Sequence, residues 1–121
     1  MARPEAVRRV KSYSSATGVV YQYYFYEVNK ARRGRSAGTE YIYMVSADRR
    51  TAFPLRVFVL HAAVQKWAGK YGRALSGTEE YAVAKMRLFR GFDEEEDLVT
   101  SRADLIVDEA NLESLLEQLD L

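Results

Sequence analysis

Apolar and polar positions alternate through the first half of the chain and then switch to a helical period. Arg9, Lys11 and Tyr13 alternate with Val10 and Ser12, the period of a half-buried strand. Ser14-Ser15-Ala16-Thr17-Gly18 is a turn cluster. Val19 to Val28 follows, dense in β-branched and aromatic residues, and predicts a strand. Asn29 to Gly38 holds Lys30, Arg32, Arg33, Arg35 and two glycines and reads as an exposed loop. Thr39 to Ser46 is the next predicted strand, with Tyr41, Tyr43 and Val45 on one face and Ile42 and Met44 on the other. Ala47-Asp48-Arg49-Arg50 fits a tight turn. Thr51 to Leu60 resumes the strand pattern. Its Pro54 implies an edge position or a strand that starts after it, because proline cannot donate to the ladder.

From Leu60 onward the spacing changes. Leu60, Ala63, Val64, Trp67, Ala68 and Tyr71 form one apolar stripe, and Gly72 can close that helix in a left-handed conformation. Ser76-Gly77-Thr78-Glu79 fits a capping box. The helix it opens is expected to run to about Phe92, with Tyr81, Ala84, Leu88, Phe89 and Phe92 on a broad apolar face. Asp93-Glu94-Glu95-Glu96-Asp97 breaks the pattern, and Leu105-Ile106-Val107 reads as a short strand or extended segment. Asp108 then caps a last helix whose Leu112, Leu115, Leu116 and Leu119 form an i, i+3, i+4, i+7 stripe.

Strands first and helices after define an α+β class: a four-stranded antiparallel meander, two helices packed on one face, a short strand, and a C-terminal amphipathic helix. At 121 residues one domain is expected, with a basic β-rich region over residues 1–60, a helical region over 61–92 and an acidic segment over 93–121. An antiparallel sheet covered on one face leaves the other in water, and that face is where function is sought.

Charge sharpens this picture. The net charge is +1, yet residues 1–90 hold 17 of the 18 basic residues and 6 of the 17 acids, a local +11 against −10 for residues 91–121. Such a split points to a polyanion partner, or to an acidic segment that covers a basic surface. The absence of cysteine excludes disulfides, thiolate zinc sites and thiol nucleophiles, and fits a cytoplasmic protein. Met1-Ala2-Arg3-Pro4-Glu5 lacks the apolar region of a signal peptide, and no apolar run reaches the roughly 20 residues of a membrane span. No membrane anchor, metal or cofactor is expected.

Four constellations carry candidate chemistry. Tyr21, Tyr23, Tyr41 and Tyr43 lie on strand faces beside basic residues, an arrangement able to stack bases while cations hold phosphates. The plainer reading makes them amphipathic core residues. The loop from Lys30 to Arg35 and the turn at Arg49 and Arg50 supply guanidinium forks suited to phosphate. A meander puts these two clusters at opposite ends of the sheet, a spacing for an elongated ligand. Asp93 to Asp97 reads as a solvated connector, because consecutive acids do not match hard-cation spacing. Gly34-Arg35-Ser36-Ala37-Gly38 has the letters of a nucleophile elbow, and Ser36, Asp48 and His61 follow hydrolase order. A true elbow joins strand to helix, however, so His61 is read as a structural or surface histidine.

The expected function is therefore binding of single-stranded DNA or RNA, as a homodimer and without catalysis. Arg9, Lys11, Arg32, Arg33, Arg35, Arg49 and Arg50 would hold phosphates, and Tyr21, Tyr23, Tyr41 and Tyr43 would stack on bases. The alternative is a protein–protein interaction or self-assembly module in which the aromatic face or the leucine helix meets a partner. Salt separates the two, since phosphate binding weakens steeply with ionic strength.

Overall fold

The computed structural model describes residues 9–95, 98 and 104–119. Its elements are β1 (Lys11–Ser14), β2 (Val20–Arg33), β3 (Ser36–Ser46), β4 (Phe53–Leu60), α1 (His61–Tyr71), α2 (Gly77–Glu94), β5 (Leu105–Val107) and α3 (Leu112–Gln118). The strands form one sheet in the order β1-β2-β3-β4-β5. The first four make the expected antiparallel meander. β5 adds to β4 in parallel, a pairing that requires a long crossover, and α1 and α2 lie within it.

Local signals act where the spacing placed them. Ser76 Oγ accepts the Glu79 N–H at 3.1 Å, and the Glu79 carboxylate accepts the Ser76 N–H at 2.9 Å, so the capping box closes reciprocally. Gly72, at φ +73°, ends α1 with its N–H on the Ala68 carbonyl. The expected cap of the last helix is displaced: Asn111, not Asp108, is the N-cap of α3 and makes no side-chain capping bond, while Asp108 accepts the N–H groups of Ala110 and Asn111 in the turn before it, and the Asn111 amide ties back to Asp108 N and Ile106 O. α3 spans seven residues, shorter than its leucine stripe suggested.

Two features of β2 depart from the sequence reading. The expected loop from Asn29 to Gly38 is instead an extended hairpin: β2 continues to Arg33, β3 starts at Ser36, and Gly34-Arg35 joins them. Gly34 takes φ +61°, which the first position of such a tight, twist-matched turn demands. Second, Phe25 pairs with Tyr43 and Glu27 with Ile42, leaving Tyr26 as the extra residue of a bulge. The bulge shifts the alternation by one, so Val28 rather than Glu27 opposes Tyr41. Pro54 falls on the stretch of β4 that β5 does not reach, since β5 pairs only with Val57–Val59.

The core lies between one sheet face and the helices. Tyr21 stacks on Phe92 with ring centroids 4.4 Å apart and an 11° interplanar angle, and Tyr13 stacks on Phe89 at 4.4 Å and 10°. Leu55, Val57 and Val59 of β4, Val83 and Leu88 of α2, and Leu105 of β5 complete the layer. Leu112, Leu115 and Leu116 of α3 join the same cluster, so the leucine stripe is spent within its own chain.

Candidate functional site

The four tyrosines chosen for base stacking lie in this core. Tyr21, Tyr23, Tyr41 and Tyr43 are 1%, 5%, 6% and 1% exposed. Tyr23 meets Tyr43 and Phe89 edge-on, and the Tyr41 hydroxyl donates to Glu80 at 2.8 Å. In this packing none of the four presents a ring face to a base, and the plainer core reading describes them. Burial pushes the phenol pKa values of Tyr23, Tyr41 and Tyr43 up, with Glu80 adding to the effect at Tyr41 and Tyr81 at Tyr43. The physical cause is α2: Phe89 and Phe92 lay their rings over the Tyr21/Tyr23 face of β2, and that contact decides which of two aromatic faces is covered.

The opposite face carries Gln22 and Tyr24 of β2, Ile42 and Met44 of β3, and Arg56 and Phe58 of β4, in register across the strands. No described helix lies over it. Tyr26, at the bulge, is 44% exposed. Toward the hairpin, Phe58 is only 1% exposed although it is outside the main core. The Arg33 guanidinium lies 4.5 Å over its ring, and the bare backbone of Gly38 packs against it. Glu40 bridges Arg33 at 3.3 Å and Arg56 at 3.5 Å, and Asp104 also reaches Arg33 at 3.3 Å. The middle of this face is thus close to charge balance. Sequence reading missed Glu40 and passed over Tyr24 because alternation ranks neither face of β2 above the other.

Cations collect at the ends. Lys30, Arg32 and Arg35 sit at the β2–β3 hairpin and Arg49 and Arg50 at the β3–β4 turn; all five are exposed and form no ion pair among the described residues. β3 runs between the two groups, so at roughly 3.3 Å per residue they lie about 30 Å apart. The bracketing expected from the meander is therefore present. Arg33 does not share it, being engaged by Glu40, Asp104 and Phe58. Arg9 is exposed ahead of β1. Lys11 pairs with Tyr23 and so belongs to the helix-covered face, where it meets Lys85. Burial, and then that neighbour, pull the Lys85 pKa down.

Among the described residues the acidic segment pairs with helix α1 through Glu109 and Glu113, and with the β2–β3 hairpin through Asp104 on Arg33. Glu109 holds Lys66 at 2.9 Å and Glu113 holds Lys70 at 2.7 Å. Glu113 thereby raises the Lys70 pKa and has its own lowered. Asp93 is not a solvated connector: its carboxylate accepts the Tyr13 hydroxyl at 2.8 Å and the Ala16 N–H at 2.9 Å. Glu96 and Asp97 lie outside the described residues. Among the described residues no cluster of three or more metal-ligating side chains converges, and no helix is long and apolar enough to cross a membrane. His61 shares a hydrogen bond of 3.1 Å with Thr39, and the length of β3 separates Ser36 from Asp48, so the three hydrolase-order residues do not meet. Comparison with protein families, curated proteins and solved structures finds no match for this chain.

Proposed function

We propose that the chain binds single-stranded nucleic acid along its uncovered sheet face, with Tyr24 and Tyr26 taking the stacking role first sought in Tyr21, Tyr23, Tyr41 and Tyr43. The observation that carries this reading is the bracket of exposed cations at both ends of β3, without ion pairs among the described residues, where the C-terminal acids engage Lys66, Lys70 and Arg33. A strand laid lengthwise would meet Arg35 at the hairpin tip, Arg49 and Arg50 at the other turn, and aromatic surface between; Lys30 and Arg32, whose partners Thr39 and Ala37 share the Tyr41 face, would reach it round the edge of β2. Salt-dependent phosphate contacts would supply affinity, and stacking would supply roughly 1–3 kcal/mol per base. The cysteine-free composition suits a reducing cytoplasmic setting.

The test is fluorescence anisotropy with labelled single- and double-stranded oligonucleotides across a salt series, on the full chain and on a Lys30→Ser, Arg32→Ser, Arg35→Ser variant. The variant should bind more weakly, and its slope of log affinity against log salt should flatten by about two to three. Absence of binding at low salt, or an unchanged slope in the variant, would sink the reading.

A second reading has its own observation. The middle of the face is charge-balanced through Glu40, and exposed Val20, Tyr26 and Ile106 leave apolar surface in the open. That composition suits a protein interface, including a homodimer built face to face. It would show as a salt-insensitive dimer in sedimentation, without nucleic-acid affinity.

A further inference from the structure

The uncovered face is not uniform. At its turn end a concavity of about 400 Å³ opens between β1, β2 and β3, lined by Val10, Ser12, Gln22, Tyr24, Met44 and Arg49 among others. Ser12 and Gln22 are cross-strand partners, so a hydroxyl and a carboxamide stand side by side among apolar neighbours. The volume falls in the range of small-ligand sites, roughly 300–1,000 Å³.

Arg49, at the mouth, has a backbone that does not suit it. It is the one described non-glycine residue with positive φ, at +66°. Glycine adopts that conformation without the steric penalty a side chain brings. The turn is also held without the arginine side chain. The Arg49 N–H donates to Ser46 Oγ at 2.9 Å, and the Asp48 carboxylate accepts the N–H groups of Arg50 and Thr51 at 2.8 Å each. Those bonds keep Asp48 ionised below its ordinary range. The guanidinium makes no ion pair among the described residues. The arginine therefore costs the turn strain and gives it nothing that glycine would not, while it sets a bidentate phosphate donor beside an aromatic wall.

We infer that this concavity holds one nucleotide unit of the bound strand, its base against the Tyr24 ring and its phosphate on the Arg49 guanidinium. The inference rests on the nucleic-acid reading and narrows it to one subsite. Ser12 and Gln22 stand where they can meet the base edge, and Val10 and Met44 close the apolar sides. Charge complementarity selects the occupant: a neutral apolar ligand would leave the arginine unused, and a free anion would leave the aromatic wall unused.

The test uses the full chain, a labelled oligothymidylate, and an abasic sugar–phosphate oligomer of equal length, across a salt series. Arg49→Gly should raise the melting temperature, because strain is released, and should flatten the salt slope by about one. Tyr24→Leu should weaken oligothymidylate binding roughly five- to 150-fold at an unchanged slope, while Tyr24→Phe keeps the affinity of the parent chain. The abasic oligomer should not distinguish Tyr24→Leu from the parent chain. If the parent chain binds but the Arg49→Gly slope or the Tyr24→Leu affinity is unaltered, the subsite is wrong and the broader reading stands. A lower melting temperature for Arg49→Gly would show the side chain serving the turn and would overturn the inference. No binding by the parent chain removes both.

Discussion

Asp93 offers the sharpest check on the packing argument, because by sequence it is one of five consecutive acids and in the fold it is a fastener. Its carboxylate lies in the last turn of α2, with Oδ2 accepting the Tyr13 hydroxyl and Oδ1 the Ala16 N–H. Hydrogen bonds to a charged group contribute about 1.5–3 kcal/mol each, and the Ala16 contact is solvent-exposed, so Asp93→Ala should cost about 3 kcal/mol in all. Asp93→Asn should cost about 1 kcal/mol, because the amide oxygen can still accept from Ala16 while its NH₂ turns to the phenol oxygen. Urea titration measures both as midpoint shifts at constant slope. A second readout comes from Tyr13, whose pKa is pushed up to about 12 by burial first and then by Asp93. A raised folded-state pKa stabilises fully below the unfolded value near 10, and that stabilisation is lost as pH rises through about 12. In Asp93→Ala the tyrosinate absorbance of Tyr13 should develop at lower pH, though burial keeps it above 10. An Asp93→Ala variant within about 0.5 kcal/mol of the parent, the range of ordinary surface changes, would refute the reasoning. It would return Asp93 to the solvated run.

Gly38→Ala should destabilise by about 2–3 kcal/mol, since its Cβ would sit 2.5 Å from Phe58 Cζ and 2.6 Å from the Val59 carbonyl oxygen, and backbone cannot swing away; a urea midpoint equal to the parent's would contradict this. Tyr41→Phe should cost about 1.5–2 kcal/mol by removing the bond to Glu80, whereas Tyr43→Phe should be neutral or stabilising by up to about 1 kcal/mol, because the buried Tyr43 hydroxyl lacks a well-formed partner. Equal losses in the two variants would show that the Tyr43 hydroxyl is satisfied. The Glu79 carboxyl is held down to about 2 by Arg73 first and then by the Ser76 N–H. A lowered folded-state pKa stabilises above the ordinary value of 4.5 and is lost as pH falls through about 2. The melting-temperature gap between the parent and Glu79→Gln should therefore close across that window, and a gap constant with pH would disprove the linkage.

Much of this architecture was legible in the sequence because its signals are local. The capping box needs only Ser76 and Glu79 three residues apart, the C-cap only Gly72, and the α1 and α3 stripes only a 3.6-residue period. The order of β1 to β4 followed from turn residues between alternating runs, whereas the parallel pairing of β5 on β4 did not. The two basic ends were legible for the same reason: a meander sends successive turns to opposite edges of the sheet.

What the tertiary structure alone decided concerns faces and partners. β2 is aromatic on both sides, and a period of two cannot rank them. Only the stacking of Phe89 and Phe92 of α2 on Tyr13 and Tyr21 shows that the Tyr21/Tyr23 row is core and the Tyr24 row open. The bulge at Tyr26 left no mark in the hydrophobic pattern, yet it reassigns each later residue of β2 to a face. Glu40, Asp93 and Arg33 are charged residues whose surroundings come from positions 7 to 80 residues away in the chain. Periodicity reports what a residue is and how often its kind recurs. Burial and pairing depend on what the folded chain brings against it, and that is set by packing between elements rather than by spacing within them.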